Sequence, residues 1–221
     1  MTVKKSIGLA VAAAATLVAA PLAAQPANPY WEGFYGGLNA GGLWGTTSSS
    51  LTLGNDAGGR YGVGSGFAGG AQVGYNYLVG PVLLGAELDF QGSTYQSTLT
   101  STTMGSSGYT ANHTMPWFST MRARIGYPVG SVMPYVTGGA VWGRQKLEGT
   151  DTPNGYFNVA NNFWTYTFGA GVEGHFTDHW SAKLEYLWIG TPDTPLSSPA
   201  TTSINDRSIG NLVRVGVNYK F

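Results

Sequence analysis

SIGNLVRVGVNYKF, residues 208–221, decides how the rest of the chain is read. Val213, Val215, Val217, Tyr219 and Phe221 alternate with Leu212, Arg214, Gly216, Asn218 and Lys220. A period of two is the signature of an extended strand with two different faces. One face is aliphatic and ends in aromatics; the other is small, polar or charged. Such a strand needs partners, and the chain upstream supplies seven more segments with the same alternation.

The segments are 33–44, 66–77, 82–92, 112–127, 132–145, 162–176 and 180–190. Short connections at 78–81, 128–131 and 177–179 alternate with Ser/Thr/Gly-rich stretches at 45–65, 93–111, 146–161 and 191–207, which read as long loops. Eight strands with short turns at one end and long loops at the other are the plan of a transmembrane β-barrel. The expected fold is therefore all-β: an eight-stranded antiparallel transmembrane β-barrel over residues 33–221.

Composition fits this plan and excludes others. Glycine is 34 of 221 residues, aromatics are 13% and Asp, Glu, Lys and Arg together are 10%. So many sticky residues with so few charges exclude a disordered chain. A formal charge of zero, which loss of Lys4 and Lys5 would take to −2, leaves no footprint for nucleic acid. With no cysteine there is no disulfide framework, thiolate metal site or thiol catalysis. At the amino terminus, Lys4 and Lys5 precede an apolar run and the small residues before Gln25. Residues 1–24 thus read as a secretory signal and 25–32 as a short leader.

Charge placement carries the functional reading. Glu87, Asp89, Glu173 and Glu185, with Arg122, Arg124, Lys183 and Arg214, all fall on polar faces of their segments. A base facing the bilayer midplane would cost about 2–4 kcal/mol, so these faces point inward. An eight-stranded barrel has an interior that side chains just fill. Four acids and four bases there are expected to pair as a structural network, since an unpaired buried charge is strongly destabilising. The alternative is a narrow conducting pore that they line. A soluble barrel would instead put the apolar face inside, and would not explain aromatics such as Trp117, Trp142, Trp164, Trp188 and Tyr219 near strand ends.

Catalytic readings find little support. The histidines are His113, His175 and His179. Two flank a short turn, and His113 reads as a solvated loop-edge residue without a nucleophile motif. The glycines of residues 62–66 lack the lysine and helix of a phosphate loop and read as a flexible loop. Asp56, Asp151, Asp193 and Asp206 lack calcium-ligand spacing. No catalytic residue, metal site or cofactor is expected.

The phrases GGAQVGYNYLVGPVLLGAELDFQGS (69–93), WFSTMRARIGYPVG (117–130), PYVTGGAVWG (134–143), WSAKLEYLWIG (180–190) and VRVGVNYKF (213–221) carry a resemblance. Together they resemble the small porin-like outer-membrane proteins of alphaproteobacteria, the outer-membrane immunogenic group, and more distantly the OmpA-type barrel domain. The resemblance implies a surface protein of the outer membrane that supports envelope integrity and has no catalytic residue. It implies loops to the exterior and both termini in the periplasm, contact with outer-membrane lipid and lipopolysaccharide, and no peptidoglycan-binding domain. The pattern Val217, Tyr219, Phe221 resembles the terminal signal read by the barrel-assembly machinery.

Overall fold

The computed structural model describes residues 29–53, 56–102, 108–151, 155–190, 194–198 and 202–221. The signal segment 1–24 and Asp193 lie outside them. After a short 3-10 turn at Pro29–Trp31 come strands β1 (Gly33–Leu53), β2 (Asp56–Val79), β3 (Val82–Thr102), β4 (Gly108–Gly126) and β5 (Val132–Asp151). They are followed by β6 (Gly155–His175), β7 (Trp180–Gly190), β8 (Thr194–Ser198) and β9 (Thr202–Lys220). Each strand pairs antiparallel with its neighbour, and β9 pairs with both β7 and β1, closing a ring of eight. The short β8 lies outside the ring, as a hairpin on the first part of β9.

Two tight turns at the other end from the long hairpins follow from their residues. Gly80 and Gly130 each take the first of two central positions, at φ 61°. A mirror-image two-residue turn requires a positive φ there and matches the twist of the flanking strands. The far ends differ from the sequence expectation. The stretches 45–65, 93–111, 146–161 and 191–207 are in large part strand, so most strands run 19 to 24 residues. Ser/Thr/Gly composition reads as loop because it lacks an apolar face. An antiparallel ladder outside the membrane needs only backbone hydrogen bonds, and threonine suits it well. From Trp44 to Leu53, β1 runs about 30 Å beyond the apolar band at the usual rise per residue. The glycines of residues 62–66 and Asp56, Asp151 and Asp206 likewise lie in strands rather than loops.

The burial pattern is that of a soluble protein turned inside out. Phe34, Leu38, Phe67, Val73, Leu88, Phe90, Met121, Ile125, Val136, Phe168, Leu184 and Val215 all face out and are exposed. On β2 the outward apolar run from Phe67 to Tyr77 covers about 33 Å of strand, which at the usual tilt of roughly 40° is about 25 Å along the barrel axis, the height of a lipid-facing band. Aromatic rings mark both edges of the band. Phe90, Trp117, Trp142 and Trp164 contact in sequence across β3 to β6, with centroids 5.0–5.9 Å apart. At the turn end Phe34 packs on Tyr75, and Trp180 and Phe221 pack on Tyr219.

Candidate functional site: the filled lumen

Inward side chains form three layers. Nearest the short turns, Trp31, Leu83, Met133 and Tyr135 make an apolar cluster, with the Trp31 indole donating to the Gly130 carbonyl at 3.4 Å. Toward the long hairpins, Leu43, Ala68, Tyr95, Phe118, Val141, Phe163, Leu187, Ile189 and Leu212 make a larger one. Between them lie the eight charged residues singled out by their position in the alternation, every one buried.

The structure brings all eight together, and their pairing crosses the barrel. Lys183 Nζ lies 2.9 and 2.8 Å from the two oxygens of Glu87. They sit on β7 and β3, opposite staves of the ring. Glu87 also pairs with Arg122 and, at 3.4 Å, with Arg214, while Arg124 lies 3.9 Å away. Arg122 reaches Asp89 at 3.1 Å and Glu185 at 3.0 Å. Arg214 reaches Asp89 at 3.0 Å and Glu185 at 2.6 Å, and Arg124 pairs with Glu173 at 2.8 Å. Four anions meet four cations, so the layer is neutral. Its ions are desolvated, which makes the complete set tolerable and any unmatched member costly.

Neutral groups on the same faces complete the layer. Tyr35 donates to Glu87 at 2.7 Å, Tyr135 to Glu185 at 2.9 Å and Thr120 to Asp89 at 2.8 Å. The Arg124 guanidinium donates to Asn76 at 2.9 Å and lies over the rings of Tyr35 and Tyr135. An amide relay runs from Asn39 to Gln72, on to Asn218 and then to Glu173, which also accepts from Ser181. Charge was the signal for the eight ionised residues. These partners share the inward parity but carry no signal beyond it.

Inward glycines make room for the large side chains. A Cβ on Gly41 would collide with the Val213 carbonyl and the Arg214 backbone, and one on Gly139 with Met121 and Arg122. One local break changes the parity. Pro116 has no N–H for the ladder, and the register of β4 shifts there against both neighbours. Residues 118, 120, 122 and 124 point inward beyond the bulge, while on the hairpin side His113 approaches Tyr95 and Met115 packs on the apolar layer. His113 is therefore not a solvated loop-edge residue: it is half-buried in β4, with its Nε2 3.3 Å from Gln145 Oε1. His175 packs against Trp31, and His179 stacks on Tyr219. Among the described residues no group of three or more His, Cys, Asp or Glu side chains is placed to hold a metal ion.

Of the terminal residues Val217, Tyr219 and Phe221, all face outward. Phe221 donates its backbone N–H to Phe34 at 3.0 Å, next to the closing β1–β9 seam.

A closed antiparallel ring with a polar, ion-paired interior, an apolar exterior and aromatic girdles defines an integral β-barrel membrane protein. The chain belongs to the family described as outer membrane protein beta-barrel domain, which matches residues 10–221. It is similar to the 31 kDa outer-membrane immunogenic protein of Brucella melitensis, 33% identical over 91% of this chain and 88% of that one. It is also similar to the 22 kDa outer membrane protein of Rhizobium leguminosarum bv. viciae, 28% identical over 86% of this chain and 78% of that one. Among solved structures, the outer membrane protease OmpT from Escherichia coli aligns with a TM-score of 0.51 at 13% identity, covering 86% of this chain and 97% of that one. At that identity the likeness concerns the fold alone. The two curated relatives carry non-enzymatic names, and the family places the chain in the outer membrane.

Proposed function

We propose that this protein is a structural and surface-contact barrel that supports envelope integrity, with a lumen closed to solutes and no catalytic activity. The observation that carries the reading is the neutral ion-paired layer held between two apolar ones. A solute crossing the lumen would have to part Leu43, Phe118, Leu187 and Leu212, and then separate pairs already in contact. The hairpins project from the cell, and the short turns and both ends of the barrel chain face the periplasm. The strand-length asymmetry between the two ends supports this orientation. Outer-membrane lipid and lipopolysaccharide surround the band. The barrel-assembly machinery reads the outward stripe Val217, Tyr219, Phe221.

A narrow ion channel is the second reading. A polar column of Asn39, Gln72, Asn218 and Glu173 reaches from the charge layer toward the turn end, which favours it. Planar-bilayer conductance of the folded protein, beside Arg122→Ala, separates the two. Silence in both preparations, verified as folded, supports the closed barrel. Steady unitary steps that change with the substitution refute it and establish a pore lined by these charges.

A further inference from the structure

Outside the lumen, β5 carries Trp142, Arg144 and Lys146 in succession on its outward face. Trp142 belongs to the aromatic edge at the hairpin end, flanked by Trp117 at 5.0 Å and Trp164 at 5.9 Å. Arg144 and Lys146 stand about 7 and 13 Å further along the strand at the usual rise. The cross-strand neighbours of Arg144 are Trp117 and Asn162, and those of Lys146 are Thr114 and Ala160. Neither base therefore faces a carboxylate at its own level. The next outward acid on the strand, Glu148, accepts from Asn158 at 3.1 Å. Two cations thus sit just above an aromatic ledge, beside Asn162 and Thr114 and with Glu148 one outward position beyond Lys146, at the depth where headgroup phosphates lie.

We propose that Arg144 and Lys146 hold the phosphates of a phosphorylated outer-leaflet glycolipid, with Trp117, Trp142 and Trp164 packing against its acyl chains. This rests on the orientation proposed above, which puts the hairpin end in the outer leaflet. Charge complementarity selects the anion: aromatic girdles occur at any interface, but two outward bases against the single outward acid Glu148 leave the patch net positive. The geometry selects the glycolipid. A glycerophospholipid offers one phosphate near the level of the rings. The two bases stand about 7 Å apart on one outward face, so they can engage a headgroup that carries more than one phosphate, and Asn162 and Thr114 can hydrogen-bond sugar hydroxyls.

The test uses the folded full chain in detergent. Binding is measured for diphosphorylated lipid A, for its dephosphorylated form and for phosphatidylglycerol. The variants are Arg144→Gln/Lys146→Gln and the charge-keeping Arg144→Lys/Lys146→Arg. Both positions are at the surface, and the gel shift of the unheated protein verifies folding. The neutral pair is expected to bind diphosphorylated lipid A tenfold or more weakly, and the charge-keeping pair within about threefold of the parent. Equal binding by the neutral pair, or no preference for the phosphorylated form, overturns the site. Equal affinity for phosphatidylglycerol reduces it to general attraction for anionic lipid and also overturns it. Displacement of lipid A by millimolar inorganic phosphate would mean a free-phosphate site and overturn the lipid assignment. Orientation is read separately, by labelling Thr98→Cys in intact cells with an impermeant maleimide. Failure to label refutes the orientation whatever the lipid result; labelling with no lipid A preference refutes the lipid site alone.

Discussion

Replacing Glu87 by glutamine changes one atom at the point where the interior charges converge. Its Oε1 is shared by Arg122, Lys183 and Arg214, and its Oε2 by Lys183 and Tyr35. An amide in either rotamer therefore turns an N–H group toward a cation. The layer is also left with four bases against three acids. Removing one partner of a buried pair costs about 3–5 kcal/mol, and the absence of a harmless rotamer puts Glu87→Gln at the upper end. Lys183→Met alone leaves the opposite imbalance, softened because Glu87 keeps Arg122 and Arg214, and is expected to cost about 2–3 kcal/mol. The double variant restores neutrality and places the methionine across from the amide. It should recover about 2 kcal/mol relative to the sum of the singles, the coupling typical of residues in direct contact. Urea unfolding in lipid vesicles, followed by tryptophan fluorescence, measures all four corners of the cycle. Additivity within about 0.5 kcal/mol would mean that Glu87 and Lys183 do not feel each other across the lumen, and the account of the network would fall.

Other substitutions probe separate parts of the argument. Gly41→Ala puts a Cβ into the β9 backbone and should cost about 2–4 kcal/mol, whereas Gly42→Ala, with open space outside, should change vesicle unfolding by less than about 0.5 kcal/mol. Equal effects would mean that inward glycine is not there for room. Gln91 is buried beside the hairpin-side apolar layer, and neither end of its amide hydrogen-bonds a described residue. Gln91→Met should therefore stabilise the barrel by about 1–2 kcal/mol, and a lower urea midpoint would contradict this. Phe221→Ala, tested for the proposed assembly signal, should slow the appearance of folded barrel in reconstituted assembly reactions while leaving urea stability within about 1 kcal/mol. Unchanged assembly kinetics would remove Phe221 from that role.

The alternation of Val213 to Phe221 was enough to assign faces, because a period of two has one meaning on a strand and lipid penalises the wrong choice. The same rule placed Glu87, Arg122, Lys183 and Arg214 on inward faces. Which acid meets which base was not legible. That depends on the stagger of strands around the ring, and the Glu87–Lys183 contact joins residues 96 apart in sequence. Nor was the layering legible: Leu43, Phe118, Leu187 and Leu212 read only as isolated apolar residues on mixed faces, and ring closure makes them one cluster. The strand extensions past Trp44 and Gly92 are not legible because their stability lies in backbone pairing, which leaves no hydrophobic period. The inverted parity at His113 and Met115, set by the bulge at Pro116, emerges only from the registers with both neighbouring strands.

The opposed placement of Glu87 and Lys183 bears on the order of events during biogenesis. A hairpin or an open sheet cannot make that contact, because the two staves meet only across a closed ring. Until β9 finds β1, several ions lack their final counterions, and an unclosed sheet entering hydrocarbon would carry them bare. Partial insertion is thus penalised by the same residues that stabilise the finished barrel. Productive insertion must couple seam closure to departure from water, and a chain that cannot close is held back at the membrane surface.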